Sequence, residues 1–216
     1  MRFAIADYAT CVFDCDGVIL DSNRIKSDAF HRVCRRFGDA VAEQFVAYHQ
    51  RHGGISRYRK FAYLLDEVLK VPQGGRDALL AELLEEYARL CLEGLLRCAL
   101  IPGVAKFLHA LPATTDAFVV TGGDQQEVCT VFAQRGLATH FRAVLGSPTS
   151  KRENMAQLQR QGVFGKPACY FGDAELDRAL AAEFGLDFVF VSGASEWPGG
   201  LEICRENRIV DFRELA

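Results

Sequence analysis

The sequence predicts an α/β protein built on a doubly wound parallel sheet, with a bundle of four helices inserted after the first strand. Three observations carry that class. From residue 116 onward, short apolar runs ("AFVVT", "RAVLG", "ACYFGD", "DFVFVSG") alternate with amphipathic segments such as "DQQEVCTVFAQRG" and "AELDRALAAEFG", the texture of repeated βα units. Far upstream, "TCVFDC" at residues 10–15 has the same buried-strand composition and needs partners that only the later strands supply. Between these regions the periodicity is helical.

In chain order, "TCVFDC" is the first strand. In "RIKSDAFHRVCRRFG" the positions Ile25, Ala29, Phe30, Val33, Cys34 and Phe37 recur at helical spacing, and Gly38 supplies a stop. Asp39 can cap a second helix carrying Val41, Phe45 and Tyr48, which ends near Gly53 and Gly54. A third starts at Ser56, with Tyr58, Phe61, Leu65 and Val68 on one side. The fourth is long, from about Asp77 to Arg97, with Leu80, Leu83, Leu84, Tyr87, Leu90 and Cys91 facing inward. The crossings between sheet and bundle fall near residues 18–23 and 97–102. Residues 1–19 and 100–216 are therefore the expected core, and 20–99 the inserted helical domain. Internal repeats and low-complexity segments are absent from the sequence.

Composition narrows the class further. The 216 residues are 50% hydrophobic and 25% charged, enough for a sizeable core. There is no basic leader followed by an apolar stretch and no run long enough to span a bilayer, so a soluble, cytoplasmic protein is expected. The eight cysteines lie mostly inside apolar runs, as reduced core residues do. A formal net charge of −3 argues against a general affinity for nucleic acid or anionic membrane. Residues 24–60 nevertheless hold nine Lys/Arg against three acids, a local +6 that suits an anionic small molecule, although solvated helix faces also produce such runs.

Four local constellations carry chemistry. In "VFDCDGVIL" two carboxylates, Asp14 and Asp16, fall at the carboxyl end of the first strand, where ligands of open α/β sheets bind. They suit a nucleophile and an acid/base, or a divalent cation with oxygen ligands. Asp-Gly between apolar runs is equally a strong hairpin signal. A calcium loop is a third option, although Val18 stands where another oxygen ligand should follow. In "VVTGGD", Thr121, the exposed backbone at Gly122 and a helix capped by Asp124 form a phosphate seat, or simply a glycine-turned loop. Lys151 in "GSPTSKREN" opens a helix, where lysines are usually solvated. "CYFGDAELD" ends a strand with Asp173 and adds Asp177 four residues on; both can serve as helix-start acids or face a cation at the strand ends.

Together and in order, "DCDGV", "VVTGG", Lys151 and "GDAELD" resemble the four motifs of the haloacid dehalogenase superfamily in its phosphatase branch, over almost the whole chain. "IPGVAKFLHAL" and "GLATHFRAVLGS" are also similar to that family's connecting phrases. The resemblance implies a Rossmann-like core with the helical insert as its cap domain. It implies that Asp14 is the nucleophile that becomes an aspartyl phosphate and that Asp16 protonates the leaving oxygen and later activates water. Mg²⁺ would be held by Asp14, the backbone carbonyl of Asp16, and Asp173, with Asp177 as a further ligand or a supporting partner. Thr121, the Gly122 N–H and Lys151 would cradle the phosphoryl oxygens, and Lys151 would keep Asp14 ionised.

The presence of Asp16 points to phosphate-ester chemistry, because an alkoxide needs a proton to leave and a halide does not. The expected activity is Mg²⁺-dependent hydrolysis of a small phosphorylated metabolite, a phosphosugar or phosphorylated short acid. A mutase of the β-phosphoglucomutase type and a non-catalytic phosphometabolite-binding protein are the alternatives. "GISR" within "HGGISRYRKF" resembles the specificity loop of the β-phosphoglucomutase-like members, so Arg57, Lys60 and Lys26 are the candidate cap residues for substrate choice. Three positions depart from the pattern: Lys26 stands where those mutases carry histidine, Gly122 where Asn is frequent, and Arg152 where Pro is frequent. The first weighs against mutase activity. His52 reads as a packing or helix-end residue and Trp197 as cover for the core edge. A monomer or weak homodimer is expected.

Overall fold

The computed structural model describes residues 4–215; positions 1–3 and 216, the outermost ends of the expected core, lie outside the described residues. Six parallel strands form one sheet: β1 (Thr10–Phe13), β2 (Asp116–Asp124), β3 (Ala143–Ser147), β4 (Ala168–Gly172), β5 (Asp187–Val191) and β6 (Arg208–Ile209). Their order is β3-β2-β1-β4-β5-β6. The chain winds from β1 to one edge, returns to β4 on the other side of β1, and winds to the opposite edge. Such a reversal opens a crevice beyond the carboxyl ends of the strands that flank it. Phe13 at the end of β1 pairs with Val119 on one side and Phe171 on the other, so the residues that follow β1 and β4 emerge together at that crevice.

The strands are buried on both faces, as a doubly wound sheet requires. All four residues of β1 are inaccessible. Cys11 and Phe13 pack with residues of α5 (Val104–Ala110) and α6 (Gln125–Gln134). Val12 packs on the other face, against Met155 and Leu158 of α7 (Lys151–Arg160) and Leu180 and Ala181 of α8 (Glu175–Phe184). Phe13 also stacks on Phe171 with ring centroids 4.9 Å apart. A short α9 (Gly200–Ile203) precedes β6.

Between β1 and β2 run α1 (Asn23–Cys34), α2 (Asp39–Arg51), α3 (Arg57–Tyr63), which continues into a π-helical turn at Leu64–Val68, and α4 (Gln73–Arg97). They enclose an aromatic nucleus in which Phe30 meets Phe45 and Phe61 at 5.3 Å and Tyr87 at 4.1 Å. Each such side chain stabilises the bundle by about 1.5–3 kcal/mol through area removed from water. The chain enters and leaves this bundle side by side: Asp21 N–H donates to the Ala99 carbonyl and Ile101 N–H to the Ile19 carbonyl, each at 3.0 Å. Among the described residues no helix is long and apolar enough to cross a membrane.

Three local features depart from expectation. Helix α4 starts at Gln73, four residues early, because Pro72 suits a helix boundary and Gly74 and Gly75 fall in a first turn whose N–H groups lack intrahelical partners anyway. Its wholly buried stripe is Leu83, Tyr87, Cys91 and Leu95, while Leu80, Leu84 and Leu90 are only partly covered. Strand β2 stays extended through Gly122 and Gly123 to Asp124, with a register shift after Val120, instead of stopping at Thr121.

Candidate active site

Asp14 follows β1 and prolongs its ladder, its N–H donating to the Phe171 carbonyl at 2.9 Å. Its Oδ1 accepts from the Cys15 N–H at 2.7 Å, and its Oδ2 lies 2.9 Å from the Lys151 Nζ. Lys151 is the first residue of α7, set there by a Ser150–Glu153 capping box, and its side chain is wholly buried. The same ammonium donates to Asp177 Oδ1 at 2.6 Å. Asp177 also accepts from the Tyr170 hydroxyl on Oδ1 and from the N–H groups of Asp173 and Ala174 on Oδ2. Asp173 Oδ2 accepts from Asn23 Nδ2 at 2.6 Å, and that amide also donates to the Ala194 carbonyl.

The expectation that Lys151 keeps Asp14 ionised is only half of the balance. Burial pushes Asp14 upward; Lys151 pulls it back, but the charges of Asp177 and Asp16 oppose that pull, and the carboxyl ends at about 7. Burial and the Asp14 and Asp177 charges raise Asp173 well above the usual range too. Three buried carboxylates therefore share one ammonium. Oxygens of Asp14, Asp173 and Asp177 lie within 4.8 Å of one another, the donor set and charge excess that suit a hard divalent cation. The Asp177 oxygens already accept from four donors, Lys151 and the N–H groups of the Asp173 turn among them, which leaves Asp14 and Asp173 with more acceptor capacity for a cation.

Gly17 reconciles the turn with the chemistry. It has φ +74°, its N–H donates to the Leu20 carbonyl at 2.8 Å, and the chain does turn there. A Cβ at this position would stand 2.2 Å from Asp173 Oδ2 and 2.4 Å from Asn23 Nδ2. Glycine is needed because the Asp173 carboxylate occupies the space a side chain would take.

Asp16 is tied to the helical insert. Its Oδ1 accepts from Ser22 Oγ at 2.6 Å, and its Oδ2 forms an ion pair with Lys26 Nζ of α1. Burial raises Asp16, but the charge and hydrogen bond of Lys26, with Ser22, more than offset it and hold the carboxyl below its usual range. Thr121 is fully buried, and its Oγ1 accepts from the Gly123 N–H at 2.9 Å. A Cβ on Gly122 would stand 2.2 Å from the Gly54 carbonyl oxygen, and one on Gly53 would stand 2.9 Å from Ala174 Cβ. The glycine pair of the insert thus lies directly on the strand ends.

A cavity of about 70 Å³ remains between them. Asp14, Asp16, Gly122 and Asp173 form its core side; Phe30, His49, Lys60 and Tyr87 form its helical side; Asn23, Lys26, Glu196 and Trp197 also line it. Thr121, Lys151 and Asp177 stand behind this lining, with Lys151 reaching it through Asp14. Of the expected cap residues, Arg57 is engaged: its Nη2 donates to Glu127 Oε1 of α6 at 2.6 Å, both side chains are buried, and its guanidinium lies 5.0 Å from the Tyr87 ring. Nearby, the Tyr58 hydroxyl donates to Asp124 Oδ2 at 2.7 Å, while Asp124 Oδ1 caps α6. Lys60 Nζ lies 2.6 Å from His49 Nδ1. His52 ends α2 with its ring stacked 4.1 Å from Tyr48, and Trp197 packs edge-on against Phe190.

Asn23, His49, Tyr170 and Glu196 were not singled out by the sequence. Asn23 looks like an ordinary helix start and His49 like part of a polar helix face. Only the approach of insert and sheet brings them to the site.

The chain matches the family profile described as haloacid dehalogenase-like hydrolase over residues 11–191. In fold it is similar to β-phosphoglucomutase from Clostridium difficile, at 15% identity over 97% of this chain and 93% of that one, with a TM-score of 0.75. It is also similar to a predicted phosphoglycolate phosphatase from Haemophilus somnus (18% identity, 97% and 96% covered, TM-score 0.73). CbbY from Rhodobacter sphaeroides, in complex with phosphate, gives 18% identity, 97% and 96% coverage and a TM-score of 0.69. At these identities the likeness is one of fold. No curated protein matches the sequence.

Proposed function

The chain belongs to the haloacid dehalogenase-like hydrolases, and from that premise we propose that it hydrolyses phosphate monoesters of small metabolites with Asp14 as nucleophile. The observation that carries this reading is the buried Asp14–Lys151–Asp177 chain at the end of β1, with Asp16 two residues on and both acids lining one small cavity.

An oxygen of Asp14 attacks phosphorus as the bond to the leaving alkoxide breaks, giving an aspartyl phosphate. The alkoxide takes a proton by way of Asp16, whose carboxylate accepts in turn from the Lys26 ammonium paired with it. Water then attacks phosphorus, Asp16 accepts its proton, inorganic phosphate departs, and Asp14 is restored. Lys151 offsets the negative charge that gathers when carboxylate and phosphate meet. Mg²⁺ would be held by oxygens of Asp14 and Asp173 from the buried carboxylate cluster, with the backbone carbonyl of Asp16 as the family resemblance implies, and when bound it would supply further charge neutralisation at the phosphoryl group. Thr121 and the Gly122 backbone complete the seat for the phosphoryl oxygens. Residues 20–99 serve as the cap, and within it Lys26 assists Asp16 while Arg57 fastens the cap to α6.

The test is release of inorganic phosphate from a panel of small sugar phosphates and phosphorylated short acids in Mg²⁺, with Asp14→Asn as control. Free phosphate that disappears in the variant is expected. Formation of an isomeric phosphate without free phosphate would replace hydrolysis with mutase chemistry. Binding of the esters with no turnover would leave only a binding protein.

A further inference from the structure

Three of the buried cations around the cavity have a carboxylate at hand: Lys151 beside Asp14 and Asp177, Lys26 beside Asp16, and Arg57 beside Glu127. Lys60 differs. It is 2% exposed, and its ammonium contacts His49 Nδ1 at 2.6 Å and the His49 carbonyl at 3.4 Å. The face of Phe30 lies 5.8 Å away. Among the described residues no carboxylate lies within ion-pair reach of it. A ring nitrogen that accepts from an ammonium is neutral, so His49 orients Lys60 without offsetting its charge. A buried cation without a counter-ion is unfavourable, and one on the wall of a cavity is suited to an anion that arrives there.

We propose that Lys60, oriented by His49, is the specificity-determining residue and receives a second anionic group of the substrate, separate from the phosphoryl group. The substrates are then short phosphate monoesters that also carry a carboxylate or a second phosphate. This inference rests on the hydrolase reading above. Three features favour it. Lys60 lines the same cavity as Asp14 and Asp16, on the helical side. Arg57 and Lys26, the other buried cations of the cap near the cavity, already have carboxylate partners, and Arg51, which also lines it, is exposed to solvent. A cavity of about 70 Å³ suits a short linker between the two anionic groups.

The charge state of Lys60 agrees. Burial, with Lys26 and Lys151 adding and Asp16 and Glu196 opposing, pushes its ammonium down to about 7. Burial and the charges of Lys60 and Lys26 keep the neighbouring His49 neutral by holding it well below its usual range. An incoming anion favours the ammonium form, so selectivity for anionic substrates is strongest below about pH 7 and declines above it.

The experiment compares kcat/KM for two matched pairs: phosphoglycolate against ethyl phosphate, and propane-1,3-diyl bisphosphate against propyl phosphate. The pairs separate a carboxylate from a second phosphate as the group received. The full-length protein should favour the anionic member of at least one pair by roughly 10- to 100-fold, the range of a charge-assisted contact. Lys60→Met and Lys60→Gln should each lower that ratio at least about tenfold. The wild-type ratio itself should fall as pH rises through about 7, a measurement that needs no variant. A ratio near one, a ratio kept by both folded variants, or a ratio flat with pH would overturn the assignment of Lys60 while leaving hydrolysis standing. Absence of phosphate release from every ester would overturn the hydrolase reading itself, and this inference with it.

Discussion

On the sheet side of the cavity, Asp14, Asp16 and Asp177 are matched by Lys151 and Lys26 at 2.9 Å or closer, and Asp173 is held by the Asn23 amide. On the helical side the ammonium of Lys60 faces an imidazole and an aromatic ring in place of a carboxylate. The sheet side therefore carries more negative charge than its lysines offset, the helical side more positive charge than its neighbours offset, and a divalent cation and an anionic ester would complete the two respectively. Under the proposed hydrolysis the first arrangement would serve any phosphate ester, since it would act on the group common to all of them. The second would choose among esters by what else they carry.

The strongest way to break this division is at the nucleophile. Asp14→Asn keeps the size of the side chain but removes the attacking oxygen's charge, and phosphate release should fall by at least about 10³-fold for every substrate, with the thermal transition retained. A loss confined to one substrate class would mean that Asp14 belongs to selection and not to chemistry. Next, Lys26→Met takes away the ion pair that depresses Asp16. The Asp16 carboxyl should rise, shifting the acid limb of the kcat profile to higher pH and lowering kcat by roughly 10- to 100-fold for anionic and neutral-tailed esters alike. An effect on KM alone would move Lys26 to the selecting side.

Two stability measurements sharpen the contrast. Arg57→Met leaves Glu127 buried without its cation and should cost about 3–5 kcal/mol in denaturant unfolding, because breaking one side of a buried pair strands the other. Lys60→Met should act in the opposite direction. The folded-state value of Lys60, about 7, lies below the ordinary 10.5, so between those limits the unfolded chain binds more protons and wild-type stability rises with pH. The variant should be more stable than wild type near pH 7, by about 1 kcal/mol or more, and should lose that rising slope. A Lys60→Met protein less stable at pH 7 would mean that the ammonium is compensated in the folded chain.

The same contrast separates what the sequence reveals from what it hides. The first five strands, the four helices of the insert and the acids at the strand ends could be read because each depends on neighbours in sequence: an apolar run, a cap, a glycine stop. Asp124 at the start of α6 and Ser56 at the start of α3 follow from the same local chemistry. The two-residue β6 has no apolar run to mark it. Lys26, Arg57 and Lys60 were recognisable as a basic cluster, but their partners were not. Asp16, Glu127 and His49 lie 10, 70 and 11 residues away respectively and meet them through the way the helices pack on one another and on the sheet. Asp14 illustrates the same limit: its cation is visible as a motif, while the burial that lifts its carboxyl to about 7 exists only once the sheet is covered on both faces.

The central claim is that Asp14 carries the phosphoryl group. It is tested most directly by acid quench of the protein during turnover of a ³²P-labelled ester, followed by peptide mapping. The account predicts label on the peptide containing Asp14, discharged to inorganic phosphate on a chase with unlabelled ester and absent from Asp14→Asn. Label that passes to inorganic phosphate at full rate without ever residing on the chain, or that resides on Asp16, would contradict it.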